Sequence, residues 1–190
     1  MFGLVLDCSA LIPSEDKSRE EREAIRWLGH TLSNNNLKNY ATVYLSRHLI
    51  KVYQTKVAPH LKYHHPLPPF QASLLNLLPT FRKISTKSRK SLCKIIPSKM
   101  GIKFHILERT RVQFYNVNDI GLTEEEDREV LRIALASANQ KTFLVTTDHH
   151  FLEDLNRTEL SKRYPNESQK IEIVSPSDPN FQQFLIACLL

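Results

Sequence analysis

Glycine is scarce in this chain, which has four Gly and ten Pro among its 190 residues. Neither GxGxxG nor GxxxxGK followed by Ser or Thr occurs in the sequence. The glycine-rich loops that hold nucleotide phosphates in two common fold classes are therefore missing. Nucleotide cofactors bound in either of those ways are not expected.

Cysteines and long apolar runs are also few. The three cysteines, Cys8, Cys93 and Cys188, are widely spaced and odd in number, which favours free thiols in a reducing compartment over a disulfide framework or a zinc site. No run approaches the ~18 apolar residues of a membrane span. Asp7 interrupts the apolar start of the chain, so no secretory signal is apparent. We expect a cytoplasmic protein without a membrane partner, and its length and 41% apolar content indicate one domain over residues 1–190.

Acidic residues are absent between Glu23 and Glu108, whereas the same interval holds fourteen Lys and Arg, in a chain of net charge +6. The positive electrostatic field of so many unbalanced charges favours a polyanion, so RNA or single-stranded DNA is the expected partner. The alternative is that these residues form a basic face in contact with solvent only. Residues from about 60 to 103 are predicted to form a basic insertion, irregular or helical. The predicted nucleic-acid contacts are Lys51, Arg82, Lys83, Lys87, Arg89 and Lys90.

Two short apolar runs each end in an aspartate. Residues 4–7 read Leu-Val-Leu-Asp, and residues 143–148 read Phe-Leu-Val-Thr-Thr-Asp. Nearly continuous hydrophobic runs of this length are typical of buried strands in a parallel sheet. Because ligands bind at the carboxyl edge of open α/β sheets, two strands ending in Asp would bring two carboxylates to one cleft. Paired carboxylates repel each other unless a cation joins them.

The remaining pattern alternates strands with helices and predicts an α/β fold with a parallel sheet covered on both faces. We expect helices within residues 15–30 (capped by Ser14 or Ser18), after Ser46, and near 72–78, 123–138 and 181–190. We expect further strands at 41–45, 103–107, 112–117 and 171–174. Residues 156–169 are polar and carry no assignment.

Four segments, in this order, resemble the PIN domain, a family of metal-dependent nucleases that includes the ribonuclease toxins of bacterial toxin–antitoxin pairs. The resemblance runs from Phe2 to about Leu185, and its specific residues are confined to these segments. They are the apolar run with Asp7 and Ser9, residues 123–127 ahead of Leu131 and Ala134, residues 145–148 ahead of Phe151, and strand 171–174 followed by Ser175, Pro176 and the last helix.

The resemblance implies a three-layer α/β/α fold whose central, mostly parallel sheet gathers carboxylates around one or two Mg²⁺ or Mn²⁺ ions. Matched residue by residue, it implies that Asp7, Asp127 and Asp148 are catalytic metal ligands and that Glu124 is a further ligand. Hard cations such as these take oxygen ligands, so a few carboxylates suffice. Glu124 and Asp127 share a helical face, although acids there could simply complement the helix N-terminus.

The resemblance also implies two positions that support the carboxylates. Ser9 and Thr147 would hold a carboxylate, or a water on the metal, by hydrogen bonds. For Ser9, a role as an ordinary turn residue is the alternative.

Two positions depart from the family pattern. The helix after the second strand usually carries a Glu, whereas the matching stretch here offers Lys51 or Val52. A lysine there could lower metal affinity or hold phosphate in place of a metal. After Asp148 the family often has another acid, whereas this chain has His149 and His150. Either His could ligate Mn²⁺ or contact phosphate, or both could be exposed loop residues.

The sequence thus leads to the hypothesis of a metal-dependent endoribonuclease that hydrolyses RNA phosphodiester bonds at a carboxylate cluster. The first alternative is a PIN-like nucleic-acid-binding protein that has lost turnover. The second alternative is an interaction protein, such as a toxin held by an antitoxin-like partner. Its apolar tail, residues 184–190, would then pack on that partner, although the same tail also suits a homodimer contact or the chain's own core.

Overall fold

The five strands in the part of the chain that the structure describes are short, and the three central ones are almost fully buried, as their apolar sequences predict. The computed structural model describes residues 1–63, 66–87, 102–138 and 141–190, with the backbone alone over residues 81–87. The strands are β1 (Phe2–Leu6), β2 (Ala41–Leu45), β3 (Lys103–Ile106), β4 (Thr142–Val145) and β5 (Ile171–Val174). Every residue of β1 is buried, so both faces of the sheet are covered at its centre.

Helices connect the strands. They are α1 (Arg19–Thr31), α2 (Arg47–Val52), α3 (Ala58–Tyr63), α4 (Pro69–Lys87), α5 (Arg109–Gln113), α6 (Glu125–Ser137), α7 (Arg157–Arg163), α8 (Pro165–Ser168) and α9 (Pro179–Ala187). A π-helical turn, Tyr53–Val57, joins α2 to α3, and a second one, His150–Asp154, follows β4. Ser18 begins α1 with a reciprocal capping box to Glu21, which settles the predicted choice between Ser14 and Ser18.

All strand pairs in the sheet are parallel, and the strand order is β3-β2-β1-β4-β5. The chain therefore adds β2 and β3 on one side of β1 and then adds β4 and β5 on the other side. This reversal lies between β1 and β4, and in open α/β sheets a cleft for ligands forms at such a point. The prediction of an α/β fold with a parallel sheet is confirmed.

The register aligns a row of polar residues just past the strands. Leu4 pairs with Val43 of β2, and Leu6 pairs with Val145 of β4, which in turn pairs with Val174 of β5. Continuing each strand past its end brings Ser46, Asp7, Thr146 and Ser175 to the same level of neighbouring chains. The carboxyl edge of the sheet is therefore polar from β2 to β5.

One predicted strand is wrong, and one unassigned segment is helical. Residues 112–117 form no strand; they contain the end of α5, in which Val112 is buried while Phe114 is exposed. Strand alternation would have placed these two side chains on the same face. The polar segment 156–169 contains α7 and α8, and the Asn156 side chain caps α7 by accepting from the Glu159 amide.

The predicted basic insertion is largely helical where the structure describes it, with an irregular stretch at residues 66–68. Helix α3 ends at Tyr63, and α4 runs from Pro69 to Lys87 despite Pro79 within it. The prediction for residues 88–101 lies outside the described residues. Among the helices that are described, none has both the length and the apolar character required to cross a bilayer.

Candidate metal centre and adjoining cavity

Asp7 follows β1 directly, and its side chain is held by four hydrogen bonds. Its carboxylate accepts from the Cys8 amide at 2.7 Å and the Ser9 amide at 3.3 Å, as the N-cap of the short 3₁₀ turn Cys8–Ala10. It also accepts from the Ser9 hydroxyl at 2.5 Å and the Thr146 hydroxyl at 3.0 Å. Burial raises the pKa of Asp7 above its ordinary value, and these hydrogen bonds oppose that rise.

The hydroxyls that hold Asp7 also tie β1 to the loop after β4. Ser9 Oγ accepts from the Thr147 amide at 2.9 Å, and Thr146 Oγ1 accepts from the Asp148 amide at 2.9 Å. Asp7 and Asp148 are therefore positioned by one network across the two central strands. Thr146, which sequence reasoning missed, contacts Asp7, whereas the predicted Thr147 places its hydroxyl 3.3 Å from the Ser9 carbonyl. Continuing the register one residue past Val145 would have pointed to Thr146.

Asp127 lies in the first turn of α6 and is only 7% exposed. Burial raises its pKa to about 7, and the negative charges of Asp7, Asp148 and Glu124 add to that rise. Its carboxylate has no hydrogen bond or ion pair with any side chain or amide that the structure describes. Gln71 Oε1 is the only fully buried side-chain oxygen or nitrogen without a partner among the described residues, so the Asp127 oxygens reach solvent, where a proton or a cation can approach them. The structure thus brings the three predicted aspartates into one electrostatic environment.

Glu124, the fourth predicted ligand, begins α6 as an exposed residue whose side chain makes no capping hydrogen bond. The two histidines after Asp148 lie beside it. Ligand atoms of Asp148, His149 and His150 all lie within 4.8 Å of one another. Among the described residues, no three acidic, histidine or cysteine side chains that include Asp7 or Asp127 lie so close together. His150 is also paired with Asp154 at 2.6 Å, and that hydrogen bond raises the pKa of His150.

Two lysines flank this centre. Lys17 Nζ donates to Thr147 Oγ1 at 2.6 Å, and Lys56 Nζ lies 2.6 Å from a carboxylate oxygen of Glu126. The ion pair with Glu126 raises the pKa of Lys56. Lys56 lies in the π turn after α2, and that turn also supplies Tyr53, whose hydroxyl donates to the Leu6 carbonyl. Lys51 and Val52, which the sequence matched to the family's helix Glu, lie in α2 ahead of this turn.

A cavity of about 780 Å³ lies beside the centre, and Lys51 lines it. We call it the basic cavity. It is bounded by α2, α5 and α6, and its charged or ionisable lining residues are Arg47, His48, Lys51, Arg109, Glu125, Glu129 and Arg132. Val52, the other residue at the departing position, is buried.

The other predicted nucleic-acid contacts lie on or beyond the end of α4. Residues 82, 83 and 87 are in the helical backbone of α4, whose side chains are not described there, and Arg89 and Lys90 lie outside the described residues. Their predicted role stays a prediction. Comparison of the chain with protein-family models, with curated proteins and with solved structures found no match.

Proposed function

We propose that this protein is a metal-dependent endoribonuclease of the PIN-like kind, which uses Mg²⁺ or Mn²⁺ held by Asp7, Asp127 and Asp148. The observation that carries the proposal is Asp127, a largely buried residue whose carboxylate has no partner among the described residues, with three further carboxylates raising its pKa. A divalent cation would offset this repulsion. Asp7 and Asp148 follow β1 and β4, the two strands between which the order of the parallel sheet reverses, and this placement agrees with the resemblance to PIN domains.

The residues present fit a hard divalent ion. Asp127 offers two free oxygens, and Oδ1 of Asp7 accepts from one amide only, so it retains a lone pair for a ligand. Asp148 and Glu124 supply further oxygens, and the adjacent histidine nitrogens suit Mn²⁺ better than Mg²⁺. When bound, the ion would lower the pKa of a water and neutralise charge on the phosphate.

The protein's own groups have distinct roles in this proposal. The Ser9 and Thr146 hydroxyls fix the Asp7 carboxylate, so that side chain needs little reorganisation when it takes a ligand. Lys17 and Lys56 border the centre and could contact the non-bridging oxygens of the phosphodiester. RNA rather than a small phosphate ester is proposed because of the basic surface between Glu23 and Glu108.

A second candidate function is nucleic-acid binding without turnover, and Lys56 is the observation that favours it. Residues 47–63 contain no acid, and the side chain they bring to the centre is a lysine already paired with Glu126. A positive charge there weakens divalent-cation binding by repulsion. An antitoxin-like partner remains part of the proposal only through the resemblance, and a homodimer only through the apolar tail, residues 184–190.

Cleavage and metal binding can be tested together. A labelled single-stranded RNA is incubated with Mn²⁺ or Mg²⁺, and Mn²⁺ binding is titrated separately by electron paramagnetic resonance. We expect Asp127→Asn and Asp148→Asn each to lower single-turnover cleavage by about 10³-fold or more, because several kcal/mol of charge stabilisation are lost. Mn²⁺ affinity should fall in both variants.

The matched control is Asp119→Asn, which changes an exposed aspartate at φ 61°, a conformation that Asn accepts readily. It should cleave and bind Mn²⁺ like the wild type. RNA binding without metal-dependent cutting in the wild-type protein would support the second candidate function. Equal cleavage by wild type and Asp127→Asn would refute the proposed site.

A further inference from the structure

The basic cavity contains a fixed network and a set of free cations. On the α6 side, buried Glu129 accepts from the Ser46 hydroxyl at 2.5 Å and lies 3.7 Å from Arg132, which also pairs with Glu125 at 2.5 Å. Ser46 additionally caps α2 by accepting from the Leu49 amide. Both carboxylates of the cavity thus already have partners: Arg132 and Ser46 for Glu129, and Arg132 and Arg128 for Glu125.

The remaining cations of the cavity have no such partners. Arg47, Lys51 and Arg109 are exposed and make no ion pair or side-chain hydrogen bond within the described part of the chain. They come from two separate elements, α2 and α5, and converge on one concavity. Unpaired guanidinium and ammonium groups around a cavity are suited to an anion, and the planar guanidinium groups suit phosphate in particular.

The cavity is next to the proposed metal centre along the sheet. Ser46 lies at the same register level as Asp7 on the neighbouring strand, and strands are ~4.8 Å apart. Helix α6 lies between the metal centre and the cavity and contributes side chains to both. Asp127 lies on the side of Asp7 and Asp148, whereas Glu125 and Glu129 line the cavity. A polymer bound at the metal centre would therefore reach the cavity with an adjacent unit.

An exposed aromatic side chain lies at the end of the element that supplies Arg109. Phe114 ends α5 directly after Gln113, a lining residue, and is 74% exposed. Its ring packs edge-on against Tyr115 at 5.3 Å, and Tyr115 packs against Tyr164 at 5.1 Å. An exposed ring that is held by other rings is a ready stacking surface for an unpaired base.

We propose that the basic cavity binds the nucleotide of single-stranded RNA adjacent to the scissile bond. Arg47, Lys51 and Arg109 hold its phosphate, and Phe114, which follows the lining residue Gln113 outside the cavity lining, stacks on a base that extends out of the cavity. This inference rests on the proposed nuclease function and specifies its substrate as unpaired RNA, because a base in a duplex cannot stack on a side chain. A volume of about 780 Å³ lies within the ~300–1,000 Å³ typical of small-ligand sites, so it accommodates a nucleotide.

The test measures binding without cleavage. Affinity for a fluorescein-labelled single-stranded oligoribonucleotide is followed by anisotropy in EDTA, for wild type and for the triple variant Arg47→Gln, Lys51→Gln, Arg109→Gln. We expect the dissociation constant to rise roughly 30-fold or more and the salt slope to shrink by about 2, as three phosphate-neutralising charges are lost. Phe114→Ala should weaken binding of the single strand roughly tenfold and leave duplex RNA unaffected.

A matched control removes the same charge elsewhere. The triple variant Arg157→Gln, Lys162→Gln, Lys170→Gln changes three exposed cations that make no ion pair within the described chain. It should shift the dissociation constant by no more than about threefold. Equal losses in the two triple variants would overturn the inference, as would unchanged binding in the cavity variant.

Competition distinguishes RNA from an acidic protein partner. A nucleoside 5′-monophosphate should displace the labelled RNA from wild type and not from the residual binding of the cavity variant. Displacement by an acidic peptide alone would overturn the inference in favour of a protein ligand. Because EDTA removes catalysis, this test measures RNA binding at the cavity independently of cleavage. A protein that cuts no RNA but binds it at the cavity passes the test, and a nuclease that binds RNA at another surface fails it.

Discussion

Asp127 and Glu129 lie two residues apart on α6, and they are almost equally buried, at 7% and 8% exposure. Glu129 has partners, the Ser46 hydroxyl and the Arg132 guanidinium, whereas Asp127 has none among the described residues. Burial alone therefore does not mark a functional carboxylate. The absent partner distinguishes Asp127, because a largely desolvated and unpaired carboxylate favours the binding of a proton or a cation.

Helix α6 thus carries a structural acid, Glu129, whose partners are present, and an available acid, Asp127, whose oxygens are unpaired among the described residues. The side with Glu129 already contains its neutralising Arg132, so the further cations there are left for an anionic ligand. The side with Asp127 gathers carboxylates and is left for a cation. In our proposal the metal centre and the phosphate subsite lie on opposite sides of α6, one suited to a cation and the other to the anionic backbone of RNA.

The largest expected effect concerns the pH dependence of stability. Because the pKa of Asp127 is about 7 in the folded protein against 3.8 ordinarily, the folded state binds more protons between these values. Metal-free stability should therefore fall as pH rises from about 4 to 7, by roughly 2 to 4 kcal/mol. Urea unfolding at pH 5 and pH 8 measures it, and Asp127→Asn should flatten the difference.

A divalent ion should restore the lost stability at pH 8. Mn²⁺ at a hundred times its dissociation constant would add about 2.7 kcal/mol to the wild type and much less to Asp127→Asn. A wild type that is equally stable at the two pH values without metal would contradict the contrast between the two acids. It would mean that Asp127 finds a neutralising partner in solution.

Sequence reasoning located Asp127 and overlooked Glu129, for a physical reason. An acid in the first turn of a helix after a break is visible in the sequence, and its separation from Glu124 by three residues shows their shared face. The role of Glu129 depends on Ser46, 83 positions away in the chain, so no local pattern shows it. Strands β1, β2 and β4 were predictable because buried strands of a parallel sheet are nearly continuous apolar runs, whereas β3 and β5, at the sheet edges, contain alternating polar residues.

The missed details depend on irregular helix geometry. Lys56, in the π turn Tyr53–Val57, pairs with Glu126 next to Asp127, whereas Lys51 lines the basic cavity and Val52 is buried. Residues 112–117 are apolar enough for a strand, yet Phe114 is exposed and Val112 is buried, which fits a helical turn. Neither feature has a signature in the sequence pattern.

A smaller effect is expected for Glu129→Gln. This change keeps the acceptor for Ser46 and removes the charge beside Arg132, so the protein should lose about 1 to 2 kcal/mol of unfolding free energy. Cleavage by the folded variant should fall by less than tenfold, far less than for Asp127→Asn. Urea unfolding and single-turnover cleavage measure the two effects, with Glu15→Gln as an exposed control.

The cleavage rate of Glu129→Gln can contradict the assignment of Glu129 as a structural acid. A well-folded Glu129→Gln variant whose cleavage falls as far as that of Asp127→Asn would place Glu129 among the metal ligands. The distinction between a structural acid and an available acid on α6 would then be wrong.

The smallest effect is expected for Lys56, the cation nearest the available acids. Lys56→Gln removes an exposed ion pair with Glu126, which costs at most ~0.5 kcal/mol of stability. It also removes a positive charge that repels a divalent ion, so Mn²⁺ should bind about two- to threefold more tightly, and less so at high salt. Electron paramagnetic resonance titration measures the change, with Lys162→Gln as the control. Weaker Mn²⁺ binding in Lys56→Gln would show that the lysine orients Glu126 as a ligand, which would extend the available acids of α6 beyond Asp127.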